Sequence, residues 1–259
     1  MTQNLSGFRA LVCGASAGIG RATALRLAAQ GAEVIVLARR EERLQSVKQE
    51  IEEKGGSAIM LVGDLDSREQ IITAVQSLLA AGPIHILVNN TGGPKGGPIL
   101  QATEDEFLQA FSRHILSAHR LLQVLLPGMK EAGYGRIINV ISTSVYEPIP
   151  NLGVSNTTRG AMASWAKTVS RELPPKITIN NVLPGFTDTE RLSQLKKGRA
   201  VKSGSTEEDV HQAWMSQVPE GRLAKPEETA ATIGFLASPD ASFIRGVSLA
   251  VDGGRLKSI

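Results

Sequence analysis

The sequence predicts a single-domain α/β fold, a doubly wound parallel sheet with helices on both faces. Three observations predict it. Short β-branched runs alternate with longer helical patterns, the spacing that parallel βαβ units require. A glycine-rich turn directly follows the first of these runs and opens the first helix. No Pro/Gly/Ser-rich linker, low-complexity run or repeat divides the 259 residues, so one domain spans 1–259.

The elements follow in order. Phe8–Cys13 reads as a strand, and Ile19–Gln30 as a helix with Ala24, Leu25, Leu27 and Ala28 packing inward. Glu33–Ala38 is a second strand, followed by a charged amphipathic helix from Glu41 to about Lys54. Ala58–Val62, Ile84–Asn89, Arg136–Ile141 and Ile177–Leu183 are further strands, with helices near 67–80, 104–131 and 155–173 between them. Val247–Val251 closes the sheet. Right-handed crossovers wind the helices over both faces, which makes the fold Rossmann-type and leaves a crevice at the carboxyl ends of the strands.

Composition narrows the function classes. At this length roughly 75% of the unfolded chain's surface can be buried, and 42% hydrophobic residues with few aromatics suit a core of Val, Ile, Leu and Ala. A net charge of +3, with no helix carrying an uninterrupted basic face, argues against nucleic acid. The single cysteine, Cys13, excludes an internal disulfide and fits a reducing compartment. Met1 to Ala10 is polar with no apolar h-region, and no apolar run is long enough to span a bilayer. The expectation is a soluble cytoplasmic protein with no membrane partner and no metal.

The turn Gly14-Ala15-Ser16-Ala17-Gly18-Ile19-Gly20 points to a dinucleotide. Glycines permit a tight turn and let backbone amides approach a pyrophosphate, which the helix N-terminus attracts. The alternative is a structural turn without a ligand. At the end of the second strand an acidic residue would select NAD(H) by accepting the ribose hydroxyls. The chain has Ala38-Arg39-Arg40 instead, so NADP(H) is favoured over NAD(H), Arg39 and Arg40 offering guanidiniums to a 2′-phosphate. The alternative is that both are solvated residues of the strand-to-helix turn.

These motifs resemble the short-chain dehydrogenase/reductase family, whose Thr-Gly-x-x-x-Gly-x-Gly turn is matched with Cys13 in place of the threonine. The resemblance runs nearly end to end. Asn89-Asn90-Thr91-Gly92 resembles the family's Asn-Asn-Ala-Gly, and Pro184-Gly185-Phe186-Thr187-Asp188-Thr189 its Pro-Gly motif. Gly221-Arg222, Pro226-Glu227-Glu228, Gly246 and Val251-Asp252-Gly253-Gly254 also fit, and the nearest-looking branch is the 3-oxoacyl-carrier-protein reductase group. The resemblance implies that Ser16, Ala17, Ile19, Asn90 and Gly92 line the cofactor crevice. It also implies that Asp64, with Leu65 beside it, meets the adenine, and that Pro184, Gly185, Thr187 and Thr189 embrace the nicotinamide. An Asx turn is the other role open to Asp64.

The same resemblance implies hydride transfer between nicotinamide and a carbonyl or alcohol carbon, with a Tyr-x-x-x-Lys pair handling the proton. Here that pair is missing. Ser142 matches the family's serine at the end of the fifth strand, and thirteen positions on stands Ser155 in place of the tyrosine. Arg159 holds the lysine position and His114 that of a supporting asparagine. A serine hydroxyl is a far weaker acid than a phenol of pKa about 10, and its oxygen stops roughly 4 Å short of a tyrosine's. Arg159 stays protonated and keeps at the lysine position a charge able to hold the nicotinamide ribose hydroxyls. The resemblance thus makes it a cofactor-binding candidate, and Ser-x-x-x-Arg keeps both side chains on one helix face.

Two replacement proton donors are therefore candidates: Tyr146, four residues beyond Ser142, and His114, whose ordinary pKa near 6.5 suits neutral pH. Their alternatives are a pocket wall and a hydrogen-bonded structural histidine. Tyr134 reads as a surface turn residue. The segment at about 190–220 is where the family places a substrate lid. Its basic stretch Gln194–Gly204 reads as a solvated, flexible loop or as an attractor for an anionic handle, ahead of a helix near Thr206–Gln217 carrying Trp214 and Met215. The functional expectation is an NADP(H)-dependent oxidoreductase with a non-standard proton donor, acting on a small-molecule or acyl-thioester substrate. A catalytically silent cofactor-binding sensor or assembly protein is the alternative, and a lyase or isomerase the third. Family habit implies a homo-oligomer, tetramer or dimer, joined through the helices at 104–131 and 155–173.

Overall fold

The computed structural model describes residues 3–258; Met1 and Thr2, the start of the polar stretch read from Met1 to Ala10, and Ile259 lie outside the described residues. Seven strands form one parallel sheet: β1 (Arg9–Cys13), β2 (Glu33–Ala38), β3 (Ser57–Val62), β4 (Ile86–Asn89), β5 (Gly135–Val140), β6 (Ile177–Pro184) and β7 (Ser248–Val251). Their spatial order is β3-β2-β1-β4-β5-β6-β7. The order reverses between β1 and β4, and the crevice opens beyond the carboxyl ends of those strands. Strand boundaries fall within two residues of those the periodicity predicts.

The sheet is apolar on both faces because helices cover both. Period-two alternation divides its side chains cleanly. Ala10, Val12, Val34, Val36, Ile86 and Val88 join one core with Leu27, Leu44, Ile51 and Ile233 from α1 (Gly18–Ala29), α2 (Glu41–Glu53) and α9 (Pro226–Leu236). Leu11, Cys13, Ile35, Leu37 and Leu87 join the other with Ile72, Leu121, Leu125 and Ala166. Those last four come from α3 (Arg68–Leu78), α5 (Ser117–Glu131) and α6 (Gly153–Glu172). The periodicity does not anticipate α9, although Pro226 at its first turn followed by Glu227 and Glu228 is a helix-start signal.

Three expectations are corrected. The helix foreseen over 104–131 is interrupted: α4 (Glu104–Phe111), opened by a Thr103–Glu106 capping box, passes through a π-helical turn at Ser112–Leu116 before α5 begins. The extra residue of that turn rotates the register at His114, a geometry the sequence pattern does not encode. The basic stretch read as a flexible loop is helix α7 (Glu190–Ser203), capped by the Thr189 hydroxyl on the Leu192 amide at 3.2 Å and stopped at Gly204 with φ 67°. It folds because Leu192, Leu195 and Ala200 pack against Val210 and Trp214 of α8 (Glu207–Met215), with Phe186 stacked on Trp214 at 5.0 Å. Tyr134 is no surface residue. It stacks on Phe8 at 4.1 Å, carries the Arg136 guanidinium at 4.1 Å, and donates its hydroxyl to the Ala237 carbonyl at 2.7 Å, and burial pushes its pKa up to about 12.

Candidate active site

The turn after β1 is shaped by what its glycines exclude. Gly14 and Gly18 have φ of +64° and +53°, the left-handed region where a side chain is strained. A Cβ on Gly20 would lie 2.2 Å from the Gly14 carbonyl oxygen, so helix and turn close to a separation only glycine allows. Asn90 clamps the arrangement from β4, donating Nδ2 to the carbonyls of Cys13 and Gly14 at 3.3 and 3.4 Å. Among the described residues no side chain caps α1 at Ala17, which leaves its first N–H groups open to a ligand. A cavity of about 350 Å³ lies before them, lined by Ser16, Ala17, Gly18, Arg43, Thr189 and Glu190 among others. An uncapped helix start facing such a cavity fits a pyrophosphate, with Ile19 packed against the core behind it.

The charged corner fits a nucleotide phosphate. Arg40 donates to the Ser16 hydroxyl at 3.2 Å, and Glu190 pairs with Arg40 at 3.4 Å and with Arg43 at 2.5 Å. Arg39 reaches Asp64 at 3.5 Å, while Asp64 also accepts the Asp66 amide at 3.1 Å, the Asx-type turn open to it from the sequence. Leu65 packs against the second core, and its carbonyl accepts the Ser117 hydroxyl at 3.0 Å. Sequence reasoning missed Arg43 and Glu190. Arg43 follows Arg40 by three residues at the start of α2, a helical spacing that was the available signal. Glu190 occupies the guanidiniums that a 2′-phosphate would take, so Glu190→Gln tightens NADPH several-fold and NADH less, measured by fluorescence titration; equal effects on both would refute the competition.

On the far side of the crevice, Gly185 follows β6 where a Cβ would meet Asp252 Cα at 2.7 Å. Thr187 is buried and bridges to Ala224, and Pro184 pairs with Val251. Gly92 has open space where its Cβ would stand, and Thr189 Cγ2 lies 3.0 Å from where a Gly18 Cβ would be. The predicted cofactor residues thus converge from both halves of the sheet. Beneath them runs a feature that sequence reasoning missed. Asn89 donates to Asn139 at 2.9 Å, Asn139 to Asn181 at 2.9 Å, and Asn181 to Ser248 Oγ at 3.0 Å. Strand register aligns these residues across β4, β5, β6 and β7, so the buried amides satisfy one another and hold the floor of the site.

The predicted catalytic residues divide: Arg159 and His114 line one small cavity, while the Tyr146 hydroxyl turns to the edge strand. Ser142 caps a short turn, its hydroxyl accepting the Ser144 amide at 3.0 Å. Ser155 and Arg159 lie one turn apart on α6. Arg159 is buried and donates to the Val140 and Thr91 carbonyls at 3.1 and 3.4 Å. Burial, reinforced by Arg191, lowers its pKa to about 10, which leaves it charged at neutral pH. Tyr146 is half exposed, and its hydroxyl donates to the Ser248 carbonyl at 3.2 Å, not to Ser142 or Ser155. The phenol is therefore not aimed into the space vacated at residue 155.

Of the two roles open to His114, its surroundings are those of the hydrogen-bonded structural histidine. It sits on the π-turn with Nδ1 against the Thr91 hydroxyl, and its Nε2 is buried without a partner. With Asn89, Ser117 and Arg159 it lines a cavity of about 10 Å³, room for about one water. Burial, then Arg159 and Arg113, push its pKa down to about 2. It is neutral at neutral pH, so it does not titrate near 6.5 as the free side chain would. The unfolded chain takes up that proton below pH 6.5 and the folded chain does not. Stability therefore falls as pH drops from about 6.5 towards 2, by about 2 kcal/mol at pH 5. Urea unfolding at pH 7.5 and 5 checks this, and His114→Gln should flatten the difference; an unchanged pH slope in the variant would count against it.

Comparison with known proteins fits this geometry. A family model described as enoyl-(acyl carrier protein) reductase matches residues 14–255. The chain is 34% identical over 254 residues to 3-oxoacyl-(acyl-carrier-protein) reductase FabG of Vibrio harveyi, covering 97% of this chain and 98% of that one. It is 32% identical over 256 residues to the NADPH-dependent reductase BacG of Bacillus subtilis, covering 96% and 98%. Among solved structures, L-sorbose reductase from Gluconobacter frateurii, complexed with NADPH and L-sorbose, superposes with a TM-score of 0.92 at 30% identity, each chain covered in full.

Proposed function

The chain belongs to the short-chain dehydrogenase/reductase family, and from that premise we propose that it is an NADP(H)-dependent oxidoreductase interconverting a carbonyl and a secondary alcohol through an altered proton-handling site. The observation that carries this reading is the buried, charged Arg159 one helical turn from Ser155, beside a crevice whose turn and arginine corner fit a phosphorylated dinucleotide. NADPH-dependent relatives and the NADPH complex of L-sorbose reductase support the choice of cofactor. When bound, NADPH supplies a hydride.

The chain's own residues do the rest. The α1 N-terminus and Arg40 with Arg43 would hold the phosphates, while Arg39 and Asp64 would face the adenosine side. Pro184, Gly185, Thr187 and Thr189 would face the nicotinamide side. Ser142 and Ser155 offer hydroxyls to the substrate oxygen, and Arg159 stabilises negative charge developing there. Among the described residues, neutral His114 and the engaged Tyr146 offer no side-chain acid to that oxygen, so water supplies the proton in place of the missing phenol. The substrate is a small carbonyl compound or an acyl thioester, with α7 and α8 as its lid. Exposed Leu108, Phe111 and Leu116 support self-association along α4 and the π-turn. No helix among the described residues is long and apolar enough to cross a membrane.

Single-turnover oxidation of bound NADPH, followed by its fluorescence against a panel of ketones and 3-oxoacyl thioesters, tests this reading. The expected result is first-order loss of signal with at least one substrate. Tight NADPH binding without turnover across the panel favours the silent cofactor-binding protein, for which the missing acid is the specific argument.

A further inference from the structure

Resting on that reading, we propose that Arg255 is a positioning residue, which straps the Ser142 turn in place so that the serine hydroxyl faces the substrate oxygen. Ser142 opens a short helical turn at Thr143–Val145. Its hydroxyl oxygen accepts the Ser144 amide at 3.0 Å, and its carbonyl accepts the Val145 amide at 3.2 Å. The oxygen is the acceptor in that bond, so the hydroxyl proton remains for a substrate oxygen. Hydrogen bonds in so tight a turn have poor geometry, and its position depends on what packs against it. What packs against it is the segment after β7. Asp252 accepts the Gly254 and Leu256 amides at 3.1 and 2.8 Å, and Gly253 and Gly254 take φ of 63° and 80°. This left-handed pair turns the chain inward, and Arg255 is left 9% exposed. Its Nη1 donates to the Thr143 hydroxyl at 3.0 Å, and its guanidinium carbon lies 5.0 Å from the centre of the Phe186 ring. The Lys257 amide then donates to the Glu147 carboxylate at 2.8 Å, so the segment grips the turn at both ends. Phe186 stacks on Trp214 of α8. One guanidinium thereby ties the turn after β5 to the segment after β6 and, through it, to α8.

Stability alone does not call for an arginine at this position. The side chain is buried, and its Nε has no partner among the described residues. An unsatisfied buried N–H costs free energy, and an apolar side chain of similar volume in place of a buried charge is often neutral or stabilising. What an apolar side chain does not supply is the directed hydrogen bond to Thr143. Arg136 gives the contrast within the same molecule. It too is buried, but its partners are the main-chain carbonyls of Gly135, Lys176 and Ser238, at the amino ends of the strands and away from the crevice. Arg255 instead holds a side-chain hydroxyl adjoining the serine that meets substrate. A misplacement of about 1 Å near the reacting atoms costs up to about a hundredfold in rate, so the loss of one bond behind Ser142 is felt in the chemistry.

Two variants test the strap: Arg255→Met removes the donor, and Thr143→Val removes the acceptor while keeping its shape. The first readout needs neither cofactor nor substrate. Hydrogen exchange of the Ser144 amide speeds at least about tenfold in each variant, a local opening, while the Tm of Arg255→Met falls by no more than about 3 °C. The second readout is single-turnover oxidation of NADPH with whichever ketone or 3-oxoacyl thioester of the panel the wild type reduces fastest. Each variant slows it at least about tenfold with NADPH affinity unchanged, and Arg255→Lys recovers part of the loss. In a Ser142→Ala background, Arg255→Met slows it no further. An Arg255→Met effect that persists without Ser142 overturns the proposal, because the arginine then acts on substrate or cofactor directly. Unchanged Ser144 exchange overturns it too, as does exchange that rises equally in β5 and β6, which assigns Arg255 to the fold at large. If Arg255→Met does not fold, Thr143→Val carries the same readouts. If the wild type reduces no member of the panel, the oxidoreductase reading falls, and the exchange measurement by itself upholds or overturns the strap.

Discussion

Gly20→Ala lowers NADPH affinity at least about a hundredfold and costs roughly 1–3 kcal/mol of stability. The new Cβ meets the Gly14 carbonyl oxygen at 2.2 Å and Asn90 Nδ2 at 2.6 Å. Neither can yield cheaply. Gly14 is held at positive φ with its own Cβ position only 2.5 Å from the Asn90 carbonyl oxygen, and Asn90 anchors the turn to β4. The clash therefore pushes α1 off the turn and misdirects the N–H groups that fit the pyrophosphate. For a chain of this size the stability loss lowers Tm by roughly 2–12 °C. Gly198→Ala is the control. Gly198 lies within α7 with open space around its Cβ position, so alanine there stabilises by about 0.5–1 kcal/mol through helix propensity alone. Fluorescence titration and thermal melting read both variants, and an NADPH Kd for Gly20→Ala within threefold of wild type would falsify the proposed role of the turn.

Arg159→Met reduces turnover at least about a hundredfold, the loss expected when a charge facing a developing oxyanion is removed. Methionine keeps the apolar stem but abolishes the donors to the Val140 and Thr91 carbonyls at the ends of β5 and β4. Leaving such buried carbonyls unpaired costs about 1–3 kcal/mol each, so the variant also melts earlier. Two measurements separate the effects. Denaturant unfolding reports the structural loss, and single-turnover kinetics on the folded fraction reports the chemical one. Arg159→Lys restores much of the rate while reaching fewer carbonyls, because the charge is kept and the fork is not. If Arg159→Met turns over as fast as wild type once folded, the oxyanion role is wrong.

How much of this was readable in advance differs from residue to residue. Leu11 and Val12 alternate between two cores exactly where β-branched runs predict a strand covered on both sides, since period two is a local property. The clustering of Ser16, Gly18, Arg40 and Thr189 at one crevice followed from motif order, because a parallel sheet carries each strand's carboxyl end to the same edge. His114 shows the limit. Its residue type left a proton donor and a hydrogen-bonded structural histidine both open, and only the π-turn, which buries it beside two arginines, distinguishes them. Tyr146 was a candidate by sequence distance from Ser142, and its hydroxyl finds the edge strand instead.

By itself the chain's sequence determined the succession of strands and helices along the chain, the glycine turn, the arginine corner and the absence of the Tyr-x-x-x-Lys pair, all of which are local in residue type or spacing. Only the tertiary structure decided which charges stand alone, which amides satisfy one another across four strands, and whether the basic stretch at 194–203 folds. Those outcomes depend on partners far apart along the chain, such as Asn89 with Asn139, Arg43 with Glu190 and Arg159 with Arg191. Burial and pairing set a side chain's charge and reach, and neither is a property of the residue alone.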